Sequence, residues 1–390
     1  MAGVSEAALT VQSRMSSDPM VNKFIPISQP SIGMREKELV LAAVESGWVS
    51  SIGKFIDEFE NCFARYCGTE FAIAVSNGTT GLHLALAAFG IGPGDEVIIP
   101  DLTFVATANA VAYTGATPVL ADIDPETLCI DPGSVEALIT PRTKAVMPVH
   151  LYGHPADMDA IASIAKSRGI IVIEDAAEAH GAEYKGRRVG GLADCGVFSF
   201  YGNKIVTTGE GGMLTTNDPT FYNRAKRLRD HAMSSDRRYF HDERGFNYRM
   251  TNLQAALGVA QMERIDEFLA RRAEIMAWYR SVVRTSDVVR LNRVQNWAHS
   301  AFWMVCLEVD RFDAGTRAAF IQSLKQRGID SRPYFYPLST MPMYQQESLP
   351  VAARKSRVGL NLPSFFDLTK SDVERIGHVV NELIEDASLR

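Results

Sequence analysis

The sequence predicts an α/β protein: a doubly wound, mostly parallel sheet forming a large domain, followed by a smaller C-terminal α+β domain. Three observations carry this. From Phe71 to about Leu214, short β-branched runs alternate with alanine-rich stretches of helical length, the pattern of parallel strands whose crossovers cover both faces. A long helical periodicity then leads into a segment where strands and helices are fewer. The chain has 390 residues, 46% of them hydrophobic, enough for two domains and a large core.

The strands read in order as FAIAV, DEVIIP, ATPVLADI, KAVMPVHLYG, GIIVIEDAA, CGVFSF and GGMLTTN. Between them, helices are expected at Thr79 to Phe89, Thr103 to Tyr113 and Asp157 to Ser167. Apolar residues at helical spacing from Leu253 through Leu269 predict one long connecting helix over Asn252 to Val283. Beyond it, the strand FWMVCLEV and helices at Ala314 to Arg327 and Lys370 to Ala387 make up the smaller domain. Residues 1–25 read as a poorly ordered tail, 26–270 as the large domain and 271–390 as the small one.

A net charge of −6 argues against a broad nucleic-acid footprint. The five cysteines are scattered and odd in number, as reduced core residues are. Cys62 and Cys67 have no further Cys or His cluster with which to complete a zinc site. No run of about 18 apolar residues suggests a membrane span. The N-terminal stretch lacks both a basic start and an apolar core of a signal peptide, so a cytoplasmic protein is expected.

The stretch FSFYGNKIVTTGEGGML sets Lys204 between two apolar runs. A short buried strand precedes it and a glycine-broken, β-branched segment follows, so Lys204 is expected on a turn opening into a cleft; the alternative is an ordinary surface lysine. The glycines of GIGPGDEV do not make a dinucleotide fingerprint, because a helix precedes them and a strand follows. No nucleotide-binding P-loop motif is present either. Pyridoxal phosphate fits better. It requires an amine for its aldehyde, a carboxylate for its ring nitrogen, a phosphate cup and a face for its ring.

One candidate exists for each. Asp175 in IVIEDAAEAHG closes an apolar strand, where open α/β sheets put their ligands, and its charge would favour a protonated ring nitrogen. In VSNGTTGLHLAL a turn at Asn77 and Gly78 opens a helix at Thr79, whose first N–H groups form an anion site. Ser199 offers a second hydroxyl from the strand that delivers the lysine. Phe104 in PDLTFVAT is placed to stack on the ring. Taken singly, Asp175 reads equally as a helix cap, Thr79 as ordinary capping and Phe104 as a core aromatic; their joint placement at strand ends is the argument.

The segments SNGTTGLHLAL, GDEVIIPDLTFVATANAV, IEDAAEAHGAEYKGRRVGGLADCGVFSFYGNKIVTTGEGGM and GFNYRMTNLQAA together resemble the DegT/DnrJ/EryC1/StrS sugar aminotransferases, over the chain from about Pro26 onward. The resemblance implies a fold-type I homodimer with active sites at the subunit interface. Lys204 matches the Schiff-base lysine, Asp175 the partner of the ring nitrogen and Glu178 the side chain beside the ring hydroxyl. Gly78, Thr79 and Ser199 fall at the phosphate, Phe104 at the ring face, and Asn247 matches a residue reaching the neighbouring subunit's phosphate. The implied amino donor is L-glutamate. The implied acceptor is a nucleotide-linked 4-keto-6-deoxy sugar, GDP-4-keto-6-deoxy-D-mannose first and a dTDP- or UDP-linked keto sugar as the alternative.

For the diphosphate, the loop DHAMSSDRRYFHDERGFNYR offers Arg237, Arg238, Arg244 and Arg249, against a solvated loop whose acidic residues nearly balance them. Tyr336 in SRPYFYPLSTMPMY is a further substrate candidate. Glu178 stands where many relatives carry Gln or His, and Leu338–Ser339 stands in place of a Met-His pair, in a segment expected near the sugar. A sugar dehydratase of the same fold is disfavoured by the retained lysine. A catalytically silent binding protein is disfavoured by the complete set of cofactor residues.

Overall fold

In the computed structural model, which describes residues 24–386, helices α1 (Met34–Glu45) and α2 (Lys54–Cys67) lead into strand β1 (Phe71–Val75). Alternating units follow: α3 (Gly78–Ala88), β2 (Glu96–Pro100), α4 (Ala106–Tyr113), β3 (Thr117–Ala121), α5 (Pro132–Leu138), β4 (Thr143–Val146), α6 (Met158–Arg168) and β5 (Ile171–Asp175). A short antiparallel pair, β6 (Glu183–Tyr184) and β7 (Arg187–Arg188), precedes β8 (Cys195–Ser199), β9 (Gly212–Thr216) and α7 (Pro219–Arg229). Seven strands form one sheet in the order β1–β9–β8–β5–β4–β2–β3. β9 runs against both its neighbours, and every pairing from β8 to β3 is parallel.

Alternation along the strands builds the layers. Ala72 and Ala74 of β1 join the core that holds Phe59 and Phe63 of α2, whereas Ile73 and Val75 join the core that holds Leu82 and Leu86 of α3. Because side chains alternate faces at a period of two, a strand buried on both sides reads as one unbroken apolar run. All seven strands read between Phe71 and Asn217 are in this sheet.

The chain then forms α8 (Asn252–Met262), α9 (Ile265–Val282), β10 (Val289–Leu291), β11 (Ala298–His299), β12 (Val305–Val309), α10 (Ala314–Gln326), β13 (Arg332–Pro333), α11 (Pro350–Val358), β14 (Gly359–Leu362) and α12 (Lys370–Glu385). A second, antiparallel sheet runs β10–β12–β14–β13, and its core includes Phe320, Ile376 and Val380 of α10 and α12. The passage between the cores occurs within α9: Phe268 packs with the large sheet, and Ile275, Met276 and Tyr279 with the small one.

Several sequence expectations are corrected. The single helix over 252–283 is two helices, broken at Glu263 and Arg264. Gln261 donates to Glu36 at 2.7 Å and Arg264 to the same carboxylate at 3.2 Å. These bonds pin the junction to α1, and α9 sets off toward the second core. The fourth strand stops at Val146 rather than continuing through HLYG, where Tyr152 takes a left-handed φ of 53°. Thr103 to Val105 remain outside α4. Of the expected tail, residues 1–23 lie outside the described residues, whereas Ile25 is buried and bonded to the backbone at Gly328 and Asp330. Among the described residues, no helix is long and apolar enough to cross a membrane.

Candidate active site

Lys204 sits in the excursion between β8 and β9. Its N–H donates to the Tyr201 carbonyl at 2.9 Å, and Thr208 N–H closes the loop onto the Phe200 carbonyl at 2.9 Å. The following glycines are needed for the return: Gly209 has a left-handed φ of 80°, and at Gly212 a Cβ would lie 2.6 Å from the Asn77 backbone. The lysine side chain, 11% exposed, points into a cavity of about 500 Å³ at the C-terminal edge of the large sheet. Its Nζ stands 3.6 Å from Glu178 Oε1 and 3.9 Å from the centroid of the Trp303 ring.

Asp175 is the last residue of β5 and lines the same cavity. Its neighbour Glu174 points to the opposite face, where it accepts from the N–H groups of Gly190, Leu192 and Ala193 and pairs with His150. The two adjacent carboxylates thus have separate tasks. Asp175 accepts the Thr107 hydroxyl at 2.8 Å on Oδ2 and the Ala177 N–H at 3.3 Å on Oδ1. Glu178 accepts the Tyr152 N–H at 3.0 Å. Burial pushes the Asp175 and Glu178 carboxyls up and the Lys204 ammonium down, and the opposite charges work against each of those shifts.

The anion cup is present. Asn77 caps α3 by accepting the Thr80 N–H at 2.9 Å. The N–H groups of Gly78 and Thr79, in the first turn, have no intrahelical acceptor. Gly78 is required by close approach, since a Cβ there would meet Ser199 Cβ at 2.9 Å. Phe104, 56% exposed, presents its ring at the cavity. Pyridoxal phosphate therefore fits these residues: an amine, a buried carboxylate, a helix start beside a serine, and an unstacked aromatic face meet in one space.

A second space of about 400 Å³ adjoins the first and shares Thr103, Phe104, Asn203, Trp303 and Phe335 with it. Tyr336 lines this annex. The other substrate candidates lie elsewhere. Arg249 is committed to Asp230 and to Ser51 Oγ at 3.1 Å. Arg237 stacks on Phe240 and Arg238 on Tyr239 within the loop, and neither lines the cavity or its annex; Arg244 is exposed and does not either. Asn247 is exposed beside Asp230 and is not part of its own chain's cavity. Phe335, Tyr336 and Met341 of the segment around Leu338 and Ser339 line the annex, while Leu338 and Ser339 themselves are buried against Asp101.

Sequence reasoning missed Trp303, Thr107, Tyr152 and Asn203. Thr107 carried a signal, three residues beyond Phe104 in the first turn of α4. Trp303 and Tyr152 did not, because the first comes from the segment just before β12 of the second sheet and the second acts through its backbone N–H.

The sequence model of the DegT/DnrJ/EryC1/StrS aminotransferase family matches residues 30–381. The chain belongs to this family. The match spans both sheets and every cavity residue named above. Within the range of its relatives, the chain is 48% identical over 364 residues to a Caulobacter vibrioides protein named GDP-perosamine synthase, covering 92% of this chain and 98% of that one. It is 45% identical to a protein of the same name from Escherichia coli O157:H7, covering 93% and 100%. Among solved structures, the PLP-form of Spr1654 from Streptococcus pneumoniae superposes with a TM-score of 0.89 at 28% identity, covering 94% and 100%. A family aminotransferase uses pyridoxal phosphate, and the cavity holds the residues that cofactor requires.

Proposed function

We propose that the chain transfers an amino group from L-glutamate to C4 of GDP-4-keto-6-deoxy-D-mannose, giving GDP-perosamine. The observation that carries the chemistry is Lys204 Nζ at 3.6 Å from Glu178 in the cavity that also holds Asp175. The relatives named GDP-perosamine synthase support the choice of nucleotide and sugar. Pyridoxal phosphate, when bound, supplies an aldehyde that captures amines and a ring that delocalises the electrons left when a neighbouring C–H loses its proton.

This chain's residues would do the rest. Lys204 would hold the aldehyde at rest and, once displaced, carry the proton between donor carbon and cofactor carbon. Free in water, only about one lysine in several thousand is a neutral amine at pH 7; burial of Lys204 raises that fraction. Asp175, fixed by Thr107, would keep the ring nitrogen protonated. Gly78, Thr79 and Ser199 would take the phosphate, and Phe104 would cover the ring. Glu178 would hold the ring's hydroxyl side, oriented by the Tyr152 N–H. The same amine serves both halves of the cycle, so ping-pong kinetics follow.

A homodimer with shared sites belongs to the same reading. Asn247 is exposed on its own chain, as a residue serving the partner's phosphate would be. Met34, Leu41, Val44, Trp48 and Ile52 are each more than half exposed along α1 and the loop after it, an apolar stripe of the kind that marks an interface. A cytoplasmic setting is supported by five free cysteines.

The test is product mass spectrometry with glutamate and a panel of GDP-, dTDP- and UDP-linked 4-keto sugars. A site built around one base edge leaves buried polar groups unpaired when another base enters, and discriminates by as much as ~10⁴-fold. Preferred turnover of the GDP sugar is expected. Equal or better turnover of a dTDP or UDP sugar would overturn the nucleotide assignment and leave the aminotransferase chemistry standing.

A further inference from the structure

A strap of chain crosses the C-terminal edge of the large sheet between Leu338 and Ala352, pinned at both ends by aspartates that follow adjacent strands. Asp101, fully buried after β2, accepts three bonds. Its carbonyl takes the Leu338 N–H at 2.8 Å, Oδ1 takes the Ser339 N–H at 2.7 Å, and Oδ2 takes the Ser339 hydroxyl at 2.8 Å. Asp122, after β3, accepts the Val351 and Ala352 N–H groups at 3.0 and 2.9 Å. Between the pins, the Tyr344 hydroxyl donates to Asn109 at 2.6 Å.

Neither Asp101 nor Ser339 lines the cavity or its annex, yet both flank residues that do. Phe335 and Tyr336 precede the Leu338–Ser339 pin, and Met341 follows it; all three line the annex. On the other side of the bond, Thr103 and Phe104 follow Asp101 and form the wall shared by annex and cavity. One buried residue therefore ties the two walls together beside the direct Phe104–Phe335 ring contact and the bonds of Phe335 to Tyr152 and Ser356. Lys204 is held by a different loop, between β8 and β9, which the pin does not touch.

The annex suits the second substrate better than the amino donor. Its aromatic and methionine walls, with Asn361 and Asn203 as polar points, match a sugar ring with a deoxy carbon. Glutamate brings two carboxylates, and the annex arginine, Arg332, is already paired with Asp330 at 3.0 Å.

We infer that Asp101 and Ser339 are positioning residues for the keto-sugar half of the reaction, holding the Phe335–Met341 wall in register with Phe104. The inference rests on the aminotransferase reading above, and the two half reactions separate it from a general loss of structure. In the holoenzyme, Ser339→Ala should raise KM for GDP-4-keto-6-deoxy-D-mannose ~10-fold with kcat little changed. The single-turnover absorbance change with glutamate alone should stay within ~2-fold of wild type. Asp101→Asn retains an acceptor for the Ser339 N–H and a donor toward its hydroxyl, so it should keep KM within ~3-fold of wild type, whereas Asp101→Ala should not.

Equal losses in both half reactions of Ser339→Ala would make the pin merely structural and overturn the inference. So would an unchanged sugar KM. If the wild-type chain aminates no keto sugar, the functional reading falls and this inference with it; if it does and Ser339→Ala matches it, only this inference falls.

Discussion

The Thr107 hydroxyl donates to Asp175 Oδ2 at 2.8 Å where β5 ends beneath the cavity. Burial pushes this carboxyl up, and the Thr107 bond opposes that shift by stabilising the ionised form. Asp175→Asn keeps the shape and removes the charge, and should lower kcat/KM by ~10²–10⁴-fold, the usual worth of such a group. Thr107→Val removes one bond to a charged acceptor, worth about 1.5–3 kcal/mol, and should cost ~10- to 150-fold. Steady-state kinetics on both variants decide the matter. A loss below tenfold for Asp175→Asn would reduce Asp175 to a helix cap.

Lys204→Ala should abolish turnover while leaving the fold intact. The lysine packs on Trp303 and pairs with Glu178, and the Glu178 carboxyl left behind can take up a proton, since burial already pushes its pKa up. A melting temperature within a few degrees of wild type is expected, together with loss of glutamate-dependent amination. Normal transamination by the purified variant would sink the assignment of Lys204.

The large sheet was legible because strands covered on both faces carry unbroken apolar runs, and helices between them carry alanine. The meeting of the candidate cofactor residues in one cavity was legible for a related reason: Asp175, Ser199 and Gly78 lie at or just beyond strand ends, which is where such sheets open. What was not legible depended on contacts distant in sequence. The break at Arg264 is made by Glu36, and the buried position of Ser339 by Asp101, neither of which a local pattern can announce. The loop arginines do not line their own chain's cavity, and charge alone does not reveal a committed partner; Arg249 already has Asp230.

The proposal of shared active sites leads to a complementation experiment. Asn247 is exposed and outside its own chain's cavity, so a dimer in which it serves the partner needs one intact Lys204 and one intact Asn247 from different chains. Closed two-fold symmetry makes the two sites equivalent. Mixing Lys204→Ala chains with Asn247→Ala chains should then restore activity, up to one site in each heterodimer. Verified heterodimers that stay inactive would show that each site is built within a single chain.

His180 gives a prediction about stability in acid. Its ring is fully buried among Phe63, Phe198 and Phe200, at centroid distances of 6.5, 5.4 and 5.6 Å, with the Ser199 backbone as a weak polar neighbour that only slightly opposes the lowering of its pKa. Burial, with a smaller push from the Lys204 charge, lowers its pKa to about 3, against about 6.5 in the unfolded chain. Between those values the unfolded state binds a proton that the folded state does not, so folding stability falls as pH drops through the window and is unaffected by this group above it. His154, lowered to about 4 by burial, acts in the same direction, and the raised carboxyls of Asp175 and Glu178 act in the opposite one. Comparison with a His180→Leu variant isolates the single group, since the leucine retains an apolar fit and cannot titrate. Urea midpoints measured from pH 6 to pH 4 should show the wild type losing stability more steeply, by up to about 1.4 kcal/mol per pH unit. Parallel curves would mean that His180 already holds its proton in the folded state, paired with an acceptor, and that the aromatic cage does not keep it neutral.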